Sequence, residues 1–218
     1  MSVVFLLDVD NTLLDNDAVA DDLRRHLTDA FGERLQRQYW AFFEELREEL
    51  GYADYLGALQ RFRLANPREP HLLRISGFLI DYPFAERLFP GALEVIARLR
   101  RHGTAVILSD GDVVFQPLKV ERSGIGEAVG GEVLIYVHKE RELDDVERRY
   151  PADRYVLVDD KLRILHAVKQ LWGDRVITVF PRQGHYALDP QQVASYPPAD
   201  VSVERIGELL ELDLGRFG

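Results

Sequence analysis

Five short apolar runs, each followed by polar residues, constrain this chain more than any other feature. They are Val3 to Leu7, Thr104 to Leu108, Val133 to Val137, Tyr155 to Val158 and Val176 to Phe180. A continuous apolar run of this length fits a strand buried on both faces. Helical patterns fill the spaces around the later runs, at Gly91 to His102, Asp112 to Ser123, Arg141 to Arg149 and Leu162 to Trp172. Strand alternating with helix predicts a parallel sheet of the α/β class with a Rossmann-like core. The punctuation agrees: Pro90-Gly91 opens one helix, His102-Gly103 ends it, and Ser123-Gly124 ends the next.

The segment from Asp15 to Leu88 reads differently. It holds no strand pattern and is dense in helical period, as in Leu23, Leu27, Ala30, Phe31 and then Leu35, Tyr39, Phe42, Phe43, Leu46 and Leu50. Asn66-Pro67-Arg68-Glu69-Pro70 breaks it into helices before and after, because proline removes a backbone donor and disfavours helix in the residue before it. The expected division is therefore a core of residues 1–14 and 89–218 with an all-α insertion over 15–88. Tyr196-Pro197-Pro198-Ala199-Asp200 predicts a turn before a last helix at Val203 to Leu210.

Composition narrows the function. With 218 residues and 46% hydrophobic content, the chain can bury one substantial core and leave room for a smaller second unit. A net charge of -10 opposes nonspecific binding to nucleic acid or anionic lipid, so neither is an expected partner. The chain has no cysteine, which removes disulfides, thiolate nucleophiles and cysteine metal sites. Val3 to Leu7 is too short for a signal-peptide core, and no stretch approaches a membrane span, so a cytoplasmic location is the expectation.

Strands of an open parallel sheet share one carboxyl edge, so the residues that follow them converge. Here these are Asp8 and Asp10, Ser109, Lys139, and Asp159 with Asp160. Carboxylates from two strands make a hard oxygen site for Mg2+, which keeps waters and bridges a substrate phosphate. Lys139 supplies positive charge, Ser109 a hydroxyl, and the Ser109-Asp110-Gly111 turn backbone donors, which suits a phosphate. One of Asp8 and Asp10 can attack phosphorus while the other moves protons. Spacing alone does not say which does which.

Asp8-Val9-Asp10-Asn11-Thr12 after an apolar strand resembles the first signature of the haloacid dehalogenase-like superfamily. Val106-Ile107-Leu108-Ser109-Asp110-Gly111 resembles its second signature, Lys139 its third-signature lysine, and Val156-Leu157-Val158-Asp159-Asp160 its acidic fourth. The helical insertion lies where that family carries its first type of cap. The resemblance implies Asp8 as nucleophile, Asp10 as general acid/base oriented by Thr12, and a phosphate site of Ser109, Asp110 and Lys139. It also implies Mg2+ held by Asp8, Asp10 through its backbone carbonyl, Asp159 and Asp160. The branch for which the family is named typically lacks the second aspartate and needs no metal, so Asp10 points to phosphate chemistry on a small phosphorylated metabolite. Ile164 departs from the family, many members of which carry an acid or amide four residues after the position of Asp160.

Blander duties compete for these residues. Asp112 is the expected cap of the helix that follows Ser109, and Lys161 the expected exposed partner of the acidic pair. Trp40, Phe42 and Phe43 read as packing within the insertion, and Pro181 to Gly184 as an ordinary polar loop, although Arg182 and His185 follow the fifth strand. Rival functions on the same scaffold are a phosphomutase, a phosphonatase, or a module that binds a phosphorylated ligand without turnover. Substrate identity and oligomeric state have no readable pattern.

Overall fold

All five apolar runs become strands of one sheet, and a sixth strand joins them. The computed structural model describes residues 2–217. The strands are β1 (Val3–Leu7), β2 (Thr104–Asp110), β3 (Val133–Tyr136), β4 (Arg154–Val158), β5 (Val176–Pro181) and β6 (Val201–Val203). Their order is β3-β2-β1-β4-β5-β6, and every pairing is parallel. The chain thus runs outward from β1 to one edge, then returns to β4 and runs to the other. That reversal between β1 and β4 opens a crevice at the carboxyl ends of those two strands.

The helices are α1 (Asn16–Phe31), α2 (Glu33–Leu50), α3 (Tyr55–Ala65), α4 (Leu72–Asp81), α5 (Ala92–Leu99), α6 (Phe115–Arg122), α7 (Ile125–Ala128), α8 (Leu143–Arg149), α9 (Leu162–Trp172), α10 (Gly184–Leu188) and α11 (Pro190–Ala194). The segment between β1 and β2 carries α1 to α4 and no strand of the sheet. Asp15 caps α1 by accepting from Ala18 N at 2.9 Å, and Val19, Leu23 and Leu27 recur every fourth residue on its buried face. Asp54 likewise caps α3, accepting from Gly57 N at 2.7 Å. The proline-bearing break falls between α3 and α4.

Alternation along β1 divides the core. Val3, Phe5 and Leu7 join a cluster that also contains Leu23, Tyr39, Phe62 and Ile96, whereas Val4 and Leu6 join Val146, Leu165 and Val168 on the other face. The helices of the insertion therefore share one apolar body with a face of the sheet. The sheet's β1 is buried on both sides, as its unbroken apolar sequence predicts.

The C-terminal expectation needs correction. Val201–Val203 pairs with β5, and only Ile206–Leu210 coils, as a 3-10 turn. Val203 and Ile206 are both buried, but three residues of alternation are too few to separate a strand from a helix start by pattern. Asp200 closes this edge by accepting from Thr178 N at 2.8 Å and from Lys169 Nζ at 2.9 Å.

Candidate active site

Leu7 lies opposite Ile107 on β2 and Val158 on β4, so the chain leaves β1 at Asp8 alongside the exit of β4 at Asp159. Backbone bonds fix both exits: Asp8 N donates to Val158 O at 3.0 Å and Asp159 N to Val179 O at 3.2 Å. The loop then turns sharply. Asn11 has φ 59°, a left-handed conformation that asparagine tolerates, and its N–H donates to Leu14 O at 2.7 Å. Its Oδ1 accepts from the N–H groups of Asn16 and Asp17, at 3.0 and 3.1 Å, tying the loop to the start of α1.

Both oxygens of the buried Asp8 are engaged. Lys139 Nζ lies 2.5 Å from Oδ1, and Thr12 Oγ1 donates to Oδ2 at 3.2 Å. Thr12 thus orients Asp8, not Asp10 as the resemblance implied. Its hydroxyl oxygen also accepts from Asp160 N at 3.0 Å, linking the loops after β1 and β4. Lys139 is buried, reaches Asp159 Oδ2 as an ion pair at 2.7 Å, and donates to Leu108 O at 3.2 Å. Burial opposes its charge, but Asp159, Asp8 and Asp110 outweigh that and raise its pKa, so it is a cation throughout the physiological range.

Asp8, Asp159 and Asp160 each offer a carboxylate oxygen within 4.8 Å of the others. Both oxygens of Asp160 are buried with no hydrogen-bond partner among the described residues. Burial raises the Asp159 pKa to about 6, with Lys139 opposing and Asp8 reinforcing the shift. Burial pushes Asp160 well above the usual carboxylate range, Lys161 opposing and the charges of Asp159 and Asp8 adding to the rise. Acids in this state are short of positive charge, and a divalent cation with oxygen ligands fits them.

Asp10 faces another way. Its Oδ1 pairs with Lys119 Nζ at 2.6 Å, its side chain remains 23% exposed, and it borders the cleft. It does not belong to the carboxylate group formed by Asp8, Asp159 and Asp160. Lys119 is fully buried and donates also to Asn16 Oδ1 at 2.9 Å. Sequence reading missed this lysine, although a signal existed. On α6, Phe115, Gln116, Lys119 and Val120 form the buried face, and a lysine on such a face requires a partner.

Ser109 is buried at the end of β2, where its Oγ accepts from Gln116 Nε2 at 2.9 Å. Asp110 accepts from Lys139 N at 2.7 Å, so its carboxylate positions the lysine; burial raises its pKa, with Lys139 opposing. Val114, not Asp112, is the N-cap residue of α6, but the Asp112 carboxylate two residues earlier accepts from Val114 N and Phe115 N at 2.8 and 2.6 Å. Lys161 is half-buried rather than exposed, with no carboxylate in ion-pair range among the described residues, and its ammonium lies 5.0 Å from the Tyr186 ring centroid.

The Pro181 to Gly184 segment is more than a loop. Buried Gln183 donates from Nε2 to Asn11 O and Thr12 O at 3.3 and 3.1 Å, and accepts from Ile206 N at 2.6 Å. His185 Nδ1 lies 2.6 Å from Asp17 Oδ1, and Arg47 Nη1 donates to Tyr186 Oη at 3.0 Å. These contacts join α1 and α2 to the region after β5. Two adjoining clefts, of about 250 and 590 Å3, share Asp10, Tyr52, Tyr55, Lys161 and Tyr186. Trp40 and Phe43 pack together at 5.0 Å between centroids, as expected, and also border the larger cleft.

No helix among the described residues is long and apolar enough to cross a membrane. No curated protein sequence matches the chain. A haloacid dehalogenase-like hydrolase from Burkholderia xenovorans LB400 is 62% identical, with 97% of this chain and 99% of that one covered and a TM-score of 0.93. At 16% and 18% identity the likeness is of fold alone. Bacillus subtilis HAD-hydrolase YfnB, solved bound to magnesium, has a TM-score of 0.62 with 96% and 97% covered. Xanthobacter autotrophicus L-2-haloacid dehalogenase, with chloropropionic acid covalently bound, has 0.64 with 99% and 98% covered. The model of the haloacid dehalogenase-like hydrolase family matches residues 3–170, and the chain belongs to that family of hydrolases.

Proposed function

We propose that this hydrolase is a Mg2+-dependent phosphatase of small phosphate monoesters, with Asp8 as nucleophile and Asp10 as general acid/base. The observation that carries the reading is Asp10. Asp10 borders the cleft, and among the described residues only its Oδ1 is engaged, by Lys119, which leaves Oδ2 to exchange a proton. A halide leaves without protonation, but an alkoxide departs with difficulty unless a proton reaches it, so a second carboxyl on the same loop as the nucleophile suits an ester.

In the first step an Asp8 oxygen forms a bond to phosphorus, the ester P–O bond breaks, and Asp10 gives its proton to the departing oxygen. In the second, Asp10 takes a proton from water, the water oxygen attacks phosphorus, and the Asp8–phosphorus bond breaks to release phosphate. Thr12 holds Asp8 in line, while Lys139 and Ser109 face the phosphoryl oxygens. Asp110 keeps Lys139 in place. Asp8, Asp159, Asp160 and the Asp10 backbone carbonyl would hold Mg2+, which would neutralise charge on the transferring group. Helices α1 to α4 would act as a cap, their contacts through Asp17–His185 and Arg47–Tyr186 closing the cleft against water.

Phosphate release from a panel of monoesters, with Mg2+ and with chelator, tests this for wild type and Asp8→Asn. Magnesium-dependent turnover lost in the variant is the expected result. Chloride release from 2-chloropropionate without ester hydrolysis would replace the reading with dehalogenation. Phosphate appearing on an acceptor, or cleavage of a carbon–phosphorus bond, would replace it with mutase or phosphonatase chemistry.

A further inference from the structure

Three lysines, Lys119, Lys139 and Lys161, stand around the acids of this site, and their donors are spent differently. An ammonium has three N–H donors and no acceptor. Lys139 directs all of them into the protein, with Asp8 Oδ1 at 2.5 Å, Asp159 Oδ2 at 2.7 Å and Leu108 O at 3.2 Å. Its charge acts at the nucleophile, but no N–H is left for a phosphoryl oxygen. Lys119 is fully buried and held by Asp10 and Asn16. Lys161 is half-buried and lines both clefts, and its ammonium has neither a hydrogen-bond acceptor nor a carboxylate partner among the described residues.

The backbone and a ring fix where that ammonium lies. Lys161 N donates to Asp159 Oδ1 at 2.8 Å, and Lys161 O accepts from Ile164 N and Leu165 N at 3.0 and 3.2 Å, which seats the residue at the positive end of α9. Its side chain then reaches the Tyr186 ring, 5.0 Å from Nζ to the centroid, a contact that holds a cation without using an N–H donor. Among the described residues the other basic side chains bordering the clefts each have a carboxylate: Arg163 has Glu140, Arg24 has Asp21, Arg47 has Glu44 and His185 has Asp17.

Charge asks for the same residue. Lys139 and a divalent cation balance Asp8, Asp159 and Asp160, and buried Lys119 pairs with Asp10, so the two negative charges of a phosphate ester meet surplus positive charge at the cleft surface only at Lys161. The Gln192 amide and the Tyr52 and Tyr196 hydroxyls of the smaller cleft are neutral donors, open to the organic part of a substrate without selecting it. We infer that Lys161 is a phosphate-binding residue: its ammonium donates to a non-reacting phosphoryl oxygen and supplies the cationic donor that Lys139 has spent on Asp8, Asp159 and Leu108. The inference rests on the phosphatase reading of the same site.

Calorimetric titration of inorganic phosphate, with Mg2+ and with chelator, reads the contact without turnover. Values of kcat/KM for 2-hydroxyethyl phosphate and phosphoglycolate read it in the reaction, because these esters are alike in size and differ by a carboxylate. Loss of one charge-assisted hydrogen bond in Lys161→Met or Lys161→Gln should weaken phosphate binding about 10- to 100-fold and lower kcat/KM for both esters by a similar factor. Lys161→Arg should keep most of each, and the Mg2+-induced rise in Tm should persist in every variant. Unchanged phosphate binding beside unchanged kcat/KM overturns the inference, leaves the phosphatase reading intact and makes the lysine a counter-charge for the acids alone. A loss confined to phosphoglycolate also overturns it and gives Lys161 to a carboxylate of the substrate, and a Mg2+-induced rise lost in the neutral variants makes the lysine a support of the acid group instead. If wild type cleaves neither ester but its phosphate binding depends on Lys161, the phosphatase reading fails and the contact stands; no phosphate binding and no turnover overturn both. Should neither neutral variant fold, amine labelling of the wild type decides: phosphate with Mg2+ is expected to slow labelling of Lys161, and equal labelling with and without phosphate overturns the contact.

Discussion

Replacing Asp160 with asparagine is expected to make the metal-free protein more stable and the working protein worse. Both carboxylate oxygens of Asp160 are buried, beside Asp8 and Asp159, without a hydrogen-bond partner among the described residues. Burial first, and then those neighbouring charges, push its pKa well above the ordinary value, with Lys161 opposing. A carboxyl whose folded pKa is raised contributes stability fully below its unfolded pKa, near 4, and loses it as pH rises through the folded value. At neutral pH without metal it is therefore a net cost. Asparagine keeps the shape, removes the charge and offers a donor to the neighbouring carboxylates. Relief of part of one buried charge is worth about 1–2 kcal/mol. In a chain of this size each kcal/mol shifts Tm by about 2–4 °C, so the chelator-treated variant should melt about 2–8 °C above wild type.

On the proposed function, the same substitution also replaces a charged carboxylate ligand of Mg2+ with a neutral amide. Mg2+ at a hundred times its Kd stabilises a folded protein by about 2.7 kcal/mol. That gain should appear in wild type and vanish in Asp160→Asn, along with turnover. Calorimetric melting between pH 5 and pH 8, with Mg2+ and with chelator, measures both effects, and the variant's advantage in chelator should shrink toward low pH. A variant that melts below wild type in chelator, or that Mg2+ protects as well as wild type, would refute the reasoning.

Other perturbations probe the surrounding framework. Lys119→Met leaves Asp10 without its buried partner; because Asp10 is partly solvated, the cost should be about 1–3 kcal/mol, below that of a fully buried pair. Urea unfolding reads that loss, and an unchanged kcat would show that Lys119 does not position Asp10. Gly184→Ala should cost about 1–3 kcal/mol, because Gly184 has φ 71° and an added Cβ would lie 2.4 Å from Asn11 Cβ. Displacement of Asn11 should lower kcat as well, and an alanine variant with wild-type stability and rate would contradict this crowding. Because the Asp159 pKa is raised to about 6, protons compete with metal below that pH. The Mg2+-induced rise in Tm should therefore diminish as pH falls through about 6, and a rise that stays constant from pH 8 to pH 5 would count against Asp159 as a ligand.

Much of the fold was legible because burial on both faces demands unbroken apolar strands. The runs beginning at Val3, Thr104, Val133, Tyr155 and Val176 announce themselves, and the polar residues after them share one sheet edge by topology. That argument brought Asp8, Ser109, Lys139 and Asp159 together from positions far apart in the chain. Strand β6 escaped it, since Val201–Val203 is too short to show a period and is identified only by its hydrogen bonds to β5.

Side-chain direction is what sequence could not supply. Thr12 is closer along the chain to Asp10 than to Asp8, but its hydroxyl meets Asp8 because the left-handed turn at Asn11 folds it back. Asp10 finds Lys119, a partner 109 residues away on α6, and Gln183 braces the loop after β1 from beyond β5. These pairings depend on how helices and loops pack over the sheet edge. The sequence by itself determined the α/β class and which strand ends carry acids, because period and burial are local demands. Tertiary structure decided which acid each lysine neutralises and which rings border the cleft, because a buried charge is satisfied by whatever packing brings near it.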